Sequence, residues 1–353
     1  MPARVLVTGI SGFVGSHVAL ALLNAGYEVR GSLRSLARAE GVRTALAAAG
    51  ADVSRLQFVA LDLLSDPGWD AAMAGCRYLQ HVASPFIVEE PRDPQELIRP
   101  AVEGTTRALH AALRSGVERI VLTSSGAAVM YGHPRERTEP FTSADWSRTE
   151  GADVTAYTES KTRAELQAWS IMEAAGRRNN LVAVNPTVIL GPLLEDDPGT
   201  SAAIVHRLLS GGVPAAPRMS MGVIDARDVA ALHLAAMERP EAGGNRFLAA
   251  AGWVSLLQLA QMLREAFPAY ARRLPGFELP DWVVRLLAVF DRSVAANVAS
   301  LGVVRRLDCS AAEALLGRPF MSPRIAVTAT ARTMIERGLV PPPNSHDAAS
   351  KRG

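Results

Sequence analysis

The chain has 353 residues, is 48% hydrophobic and 20% charged, and carries a formal net charge of +2. That length predicts two domains, or one large domain with an appendage. So balanced a charge gives no single-sign field to draw nucleic acid or an anionic membrane, and Cys76 and Cys309 stand far apart with no metal spacing.

No apolar run approaches membrane length, and the first one ends in glycines too early for a signal peptide. The expectation is a cytoplasmic protein, monomer or homodimer, with a small-molecule partner, no nucleic acid, no membrane and no metal. Its bases are almost all Arg: only Lys161 and Lys351 are Lys, and Lys351 sits in the polar tail.

Arg4 to Val7 reads as a buried strand that breaks at Gly9. Gly12 and Gly15 follow at three-residue spacing, and Val14, Val18, Leu20, Ala21 and Leu22 carry a helical pattern onward. Strand, glycine turn, helix is the context of a phosphate-binding fingerprint. In that fingerprint Gly9 takes the tight turn, Gly12 lets the backbone approach a pyrophosphate, and Gly15 lets helix and strand pack closely. Thr8, Gly9, Gly12, Phe13, Val14 and Gly15 are therefore cofactor-binding candidates.

Tyr27 to Leu33 predicts a second strand, Leu36 to Ala49 a helix and Leu56 to Leu61 a third strand. Trp69 to Ala74 reads as a short helix and Tyr78 to Ala83 as strand four. A Pro-rich segment ends at Pro100, with a helix expected from Ala101 to Ser115. Arg119 to Ser124 reads as strand five, nearly all β-branched and apolar, as suits a strand buried on both faces. Gly126 to Val154 is a long polar loop, a length that points to function. A helix over Tyr157 to Ala175 leads to strand six, Leu181 to Val184, ended by Asn185-Pro186. Another helix lies near Ser201 to Leu209, and Met221 to Ile224 reads as strand seven with a helix, Ala226 to Met237, behind it. Past Gly252 the pattern is mainly helical.

Strands alternating with helices of this length mean βαβ units and a parallel sheet. The expected fold is α/β: a Rossmann-type doubly wound parallel sheet over 1–190, with a returning strand and helix near 217–250. A smaller, mostly helical substrate-binding region would come from 191–216 and 251–340, and 341–353 would be a flexible tail.

Tyr157 and Lys161 stand four apart on a predicted helix and share one face. Ser125 follows strand five at its carboxyl end, where ligands bind in open α/β sheets. Reducing a carbonyl with a hydride needs a proton donor at the oxygen, and a free phenol with pKa near 10 is a weak one. An ammonium 4–5 Å away, at an effective dielectric of about 20, is worth roughly 3–4 kcal/mol, or about 2–3 pKa units toward phenolate. A compact ammonium can also bind ribose hydroxyls. In a chain that writes its other bases as Arg, a Lys four residues after a Tyr points to chemistry. Ser125, Tyr157 and Lys161 are the catalytic candidates.

The stretches Thr8-Gly-Ile-Ser-Gly-Phe-Val-Gly15, Gly31-Ser-Leu-Arg-Ser35, His81-Val-Ala-Ser-Pro-Phe86, Thr123-Ser-Ser125, Tyr157-Thr-Glu-Ser-Lys161 and Asn185-Pro-Thr-Val-Ile-Leu-Gly-Pro192 extend over much of the chain. With Leu307-Asp-Cys-Ser, Leu315-Leu-Gly317 and Glu336-Arg-Gly-Leu-Val340 they resemble the extended short-chain dehydrogenase/reductase family. The likeness is strongest to its dihydroflavonol-4-reductase, cinnamoyl-CoA reductase and yeast methylglyoxal-reductase branch. The resemblance implies Tyr157 as proton donor, Lys161 on the nicotinamide ribose and Ser125, the second of the Ser-Ser pair, polarising the carbonyl. It implies Pro186 and Thr187 beside the nicotinamide, Ala83 and Ser84 along the cofactor trough, and Asp62 and Leu63 at the adenine. Many relatives have Asn where this chain has Arg107, so a proton relay through that Asn is in doubt, and Arg107 is expected to be a solvated helix arginine.

A NAD-preferring site carries an acid after the second strand for the ribose 2′-OH. Here Arg34 and Arg38 stand in that region with no acid between them, and guanidinium suits a 2′-phosphate. NADP(H) is the expected cofactor. Substrate-pocket candidates are Phe86, Ile87, Val129, Met130 and Tyr131, joined by Leu193, Met219 and Met221; Ser125 would also face the substrate. Their mostly apolar character favours a small hydrophobic carbonyl or alcohol. His81 reads as a buried strand-end residue, and Asp225 and Asp228 as structural.

The expected activity is NADPH-dependent reduction of a ketone or aldehyde. Two alternatives stay open. One is a nucleotide-sugar epimerase or dehydratase of the same fold; dehydratases place an acid beside the catalytic hydroxyl, whereas Gly126-Ala127 follows Ser125 here. The other is a non-catalytic NADP-sensing regulator, which the Tyr/Lys pair counts against.

Overall fold

The apolar runs that alternate with helices become a parallel sheet. The computed structural model describes residues 2–85, 91, 93–196, 199–290 and 298–343. Its strands are β1 (Arg4–Thr8), β2 (Glu28–Leu33), β3 (Leu56–Ala60), β4 (Tyr78–His81), β5 (Arg119–Thr123) and β6 (Leu181–Pro186). They continue as β7 (Val188–Leu190), β8 (Ala216–Pro217), β9 (Ser220–Asp225), β10 (Arg246–Ala249), β11 (Gly252–Ser255) and β12 (Glu278–Leu279). The helices are α1 (Phe13–Asn24), α2 (Ala39–Ala48), α3 (Trp69–Met73), α4 (Gln95–Arg114) and α5 (Ala156–Ala174). After them come α6 (Gly199–Leu209), α7 (Ala226–Glu238), α8 (Leu256–Ala266) and α9 (Asp281–Leu287), then unlabelled helices Ser310–Leu316 and Pro323–Glu336. Among the described residues no helix is long and apolar enough to cross a membrane.

Seven strands form one sheet in the order β3-β2-β1-β4-β5-β6-β10, every neighbouring pair parallel: the doubly wound Rossmann arrangement. Alternate residues of a strand point to opposite faces. Leu6, Leu79, Ile120 and Leu181 therefore pack with Trp69 and Met73 of α3, Leu109 of α4, and Trp169 and Met172 of α5. Buried alanines line the helices on this face, Ala101, Ala108 and Ala112 on α4 and Ala164 and Ala168 on α5, so the two backbones approach closely.

The chain divides into two compact units. The first comprises Met1–Thr187, Arg227–Ala249 and Arg306–Pro319; the second comprises Val188–Ala226, Ala250–Arg305 and Phe320–Gly353. In the second, β11-β9-β7 form a three-stranded sheet, and Thr330 on helix Pro323–Glu336 stitches that helix to Gly191, accepting from its N–H at 2.7 Å.

Three expectations need correction. The strand expected at Met221–Ile224 is β9, which pairs with β7 and β11; the seventh strand of the main sheet is β10, whose Phe247 and Leu248 register on Val184 and Asn185 of β6. The three-residue β7, too short to read by alternation, was not expected. Helix α4 begins at Gln95 and runs through Pro100. Proline there removes one backbone donor, but Asp93 caps the entry through the Gln95 N–H (2.9 Å), and buried Leu97, Ile98 and Ala101 hold the turn to the core. From residue 344 onward the expected tail lies outside the described residues.

Candidate active site

At the turn after β1 the glycines are not equivalent. Gly9 has φ +69°, and a Cβ there would come within 2.9 Å of Ala83 Cα. At Gly15 a Cβ would lie 2.1 Å from the Gly9 carbonyl oxygen. Gly12 is exposed, with an ordinary extended backbone (φ −87°, ψ 161°), and a Cβ there would meet only Gly9 O, at 3.3 Å. Of the three, glycine at 12 is the least constrained from inside the protein. What its missing side chain leaves open is the start of α1, which has no side-chain cap and no acid in its first turn. The N–H groups of Phe13, Val14 and Gly15 there lack helical acceptors and sit at the positive end of the dipole, as a phosphate needs. Ser32 of β2 seats the turn by accepting from the Gly9 N–H at its hydroxyl (3.3 Å) and from the Ile10 N–H at its carbonyl (3.3 Å).

Thr8 stitches β1 to the segment after β4. Its hydroxyl accepts from the Val82 and Ala83 N–H groups, both at 3.1 Å, and pairs with His81 Nδ1 at 2.9 Å. With both N–H groups pointing at the oxygen, the hydroxyl proton goes to Nδ1, so His81 carries its own proton on Nε2. Burial, helped by the positive charge of Lys161, lowers the His81 pKa to about 3, and it stays neutral. The Thr8 side chain is thus fully engaged inside the protein, and Ala83 is brought against Gly9.

Past β2, Arg34 and Arg38 are both exposed. Arg34 makes no hydrogen bond or ion pair among the described residues. Beyond β3, exposed Asp62 closes a turn by accepting from the Leu64 N–H (2.9 Å). Leu63 is pressed by α4, where a Cβ on Gly104 would stand 2.8 Å from the Leu63 Cβ. Arg107 is not the solvated arginine expected. It donates to the Leu63 carbonyl (2.9 Å) and Glu103 (3.1 Å) and pairs with Asp66, because three acceptors converge on it and fix the Leu63 turn to α4.

Thr155 caps α5 by accepting from the Thr158 N–H at 3.2 Å, which sets Tyr157 in the first turn. The Tyr157 hydroxyl lies 3.5 Å from Ser125 Oγ, just past the end of β5. Ser124, the other member of the pair, turns away and donates to Glu165 at 2.5 Å. Asn185 Nδ2 holds the Ser125 carbonyl (3.1 Å), and a Cβ on Gly126 would meet Thr187 at 3.3 Å, so Pro186 and Thr187 stand beside the serine. Lys161 Nζ sits 5.9 Å from the centre of the Tyr157 ring.

The lowering of the Tyr157 pKa expected from Lys161 is not what the site produces. Burial raises the phenol, against a smaller lowering by the Ser125 hydrogen bond, and a second phenol, Tyr131, raises it further. Burial also pulls Lys161 down, to about 8, with Glu165 opposing. The same loss of water that makes phenolate costly weakens the ammonium meant to favour it. Tyr157 therefore holds its proton at neutral pH.

Of the pocket candidates, Tyr131 is partly exposed and close enough to act on Tyr157. Val129 is wholly buried and offers a ligand no surface, and Met130 is nearly so. Leu193, Met219 and Met221 belong to the second unit. Phe86 and Ile87 lie outside the described residues.

The sequence reading missed the group beneath Lys161. Glu165, with no exposed surface, accepts from Ser124, from Asn185 Nδ2 (2.7 Å), from Trp169 Nε1 (3.2 Å) and from Arg246 Nε (2.6 Å). The continuing four-residue spacing, 157, 161, 165, was a signal that could have found it.

Comparison with known proteins agrees with this architecture. Cinnamoyl-CoA reductase 1 of Oryza sativa subsp. japonica is 38% identical over 268 residues, 75% of this chain and 76% of that protein. Ketoreductase azaE of Aspergillus niger is 31% identical over 316 residues, 84% of this chain and 92% of that one. The crystal structure of yeast methylglyoxal/isovaleraldehyde reductase Gre2 complexed with NADPH superposes with a TM-score of 0.77 at 26% identity, covering 96% of this chain and all of that one (100%). Residues 5–250 match the model of the NAD dependent epimerase/dehydratase family. A match of that extent puts the chain in that family, among the extended short-chain dehydrogenases/reductases.

Proposed function

We propose that the protein is an NADPH-dependent carbonyl reductase that converts a small, hydrophobic ketone or aldehyde to an alcohol, reversibly in principle. The observation that carries this reading is the Tyr157 hydroxyl 3.5 Å from the Ser125 hydroxyl, with Lys161 one turn along α5. In it Ser125 donates to the carbonyl oxygen, Tyr157 gives that oxygen its proton, and the Lys161 ammonium offsets the phenolate left behind.

The cofactor fits features of the chain itself. The open cradle at Gly12, above the uncapped start of α1, suits a pyrophosphate, and unpartnered Arg34 suits a 2′-phosphate, with Arg38 in support. Ala83, Ser84, Pro186 and Thr187 would line the nicotinamide end and Asp62 and Leu63 the adenine end. Lys161 would hold the ribose. When bound, NADPH supplies the hydride.

The names of the relatives, reductases of thioesters, ketones and aldehydes, support reduction over the epimerase and dehydratase chemistry also found in the family. The test is a panel of ketones, aldehydes and nucleotide sugars incubated with NADPH and NADH. NADPH-preferring loss of absorbance with a hydrophobic carbonyl is expected. Turnover of a nucleotide sugar without net NADPH loss, with every carbonyl inert, would overturn the reading.

A further inference from the structure

The third residue in the row, Glu165, is buried more completely than its function as a simple ion-pair partner requires. Its Arg246 partner, 6% exposed as a side chain, donates at 2.6 Å, donates also to the carbonyls of Ser143 (2.8 Å) and Asp145 (2.6 Å), and stacks at 3.7 Å over the Trp146 ring. A buried pair of this kind is often no more stabilising than apolar residues of the same volume. Its location is what distinguishes it. Through Ser124, Asn185 and Arg246 the carboxylate grips the carboxyl end of β5, the end of β6 and the start of β10, while its own backbone belongs to the helix that carries Tyr157 and Lys161.

We propose that Glu165, clamped by Arg246, is a positioning residue for the candidate active site: it fixes the Tyr157–Lys161 face of α5 against the strand ends and supplies the negative charge against which Lys161 is held as an ammonium. This deepens the reductase reading and rests on it for its catalytic meaning. Lys161 and Glu165 are both buried and stand four apart on α5, a spacing that puts Cβ atoms about 5–6 Å from each other. These titratable groups stand near Lys161 among the described residues. Tyr157 and Glu165 come from α5, neutral His81 from the end of β4, and Arg246 from β10 on the far side of the carboxylate. Glu165 is the one that raises the Lys161 pKa against the pull of burial.

The composition makes the test direct. With only two lysines in the chain, protein labelled with [13Cε]-lysine gives two side-chain resonances, and Lys161→Arg identifies the Lys161 signal. In the parent protein that signal should titrate with a midpoint near 8. Glu165→Gln should lower the midpoint by at least one pH unit and leave Lys351 unmoved. Because that variant leaves the buried Arg246 charge without its carboxylate, Glu165→Gln/Arg246→Met is the second arm, with both charges removed. It should fold and lower the midpoint by at least half a unit, less than the single change, since the opposing guanidinium is gone too. The alkaline limb of kcat/KM for carbonyl reduction should move with the midpoint in each folded variant. An unmoved or raised Lys161 midpoint in the double variant would overturn the proposal. Loss of the fold in the double variant would also overturn it, by making Glu165 a fold determinant. The resonance reads the lysine alone, so its shift in a protein that reduces no carbonyl would defeat the reductase reading and leave the charge assignment standing.

Discussion

At the glycine turn after β1 the polar groups belong to the backbone and face outward, and side chains contribute mainly by being absent. Gly12 leaves a cradle, α1 starts without a cap, and Arg34 beyond β2 has no partner among the described residues. Along α5 the polar groups are side chains, and they face one another. Tyr157 meets Ser125, and Glu165 gathers Ser124, Asn185, Trp169 and Arg246 from four further points of the chain. The turn leaves its donors unused, as an anion that comes and goes would need. Along the helix, Glu165 ties α5 to the strand ends, and burial raises the Tyr157 pKa and lowers that of Lys161.

The contrast can be broken first at the helix. Tyr157→Phe should reduce turnover about a thousandfold, the scale of a lost general acid, while the Kd for NADPH by fluorescence titration changes less than about threefold. Equal loss of both would mean the phenol serves the cofactor. At the turn, Gly15→Ala should lower stability by about 3 kcal/mol in urea unfolding, because its Cβ would overlap the Gly9 carbonyl. Unchanged stability would show that helix and strand can part without cost. Arg34→Asp should raise the KM for NADPH tenfold or more relative to NADH, as loss of a charge-assisted contact worth about 1.5–3 kcal/mol implies. Parallel changes for the two cofactors would remove Arg34 from the 2′-phosphate. Smallest in the fold, and so sharpest, is Gly12→Ala: stability should stay within about 0.5 kcal/mol of the parent while NADPH binding weakens. A stability loss as large as that of Gly15→Ala would mean that Gly12 serves the fold.

The same difference decides what could be read from the sequence. The turn is local: strand, glycines and helix run without interruption from Arg4 to Asn24, and Gly9 and Gly15 are where a side chain would collide with backbone. The alternation of strands and helices gave the parallel sheet for the same reason, since each period is local. Placing β9 in the main sheet failed because nothing in a strand's own residues says which partner it pairs with, and β10 is the one beside β6. Tyr157 and Lys161 could be paired through helical spacing. Glu165 and Arg246 stand 81 positions apart, and only the folded chain brings them to 2.6 Å. The direction of the Tyr157 shift was missed for a related reason: the ammonium is visible in the sequence, but the burial that opposes it is not. Arg107 looked solvated because its acceptors at Asp66 and the Leu63 carbonyl come from another loop.

The central claim is that hydride leaves with the product. The most direct measurement is turnover of a hydrophobic ketone with NADPH deuterated at the transferring C4 position, followed by mass analysis of the alcohol and a count of NADPH oxidised. The account predicts one deuterium on the carbinol carbon and one NADPH oxidised per alcohol formed. Product formed without deuterium, or with no net oxidation of NADPH, would contradict it.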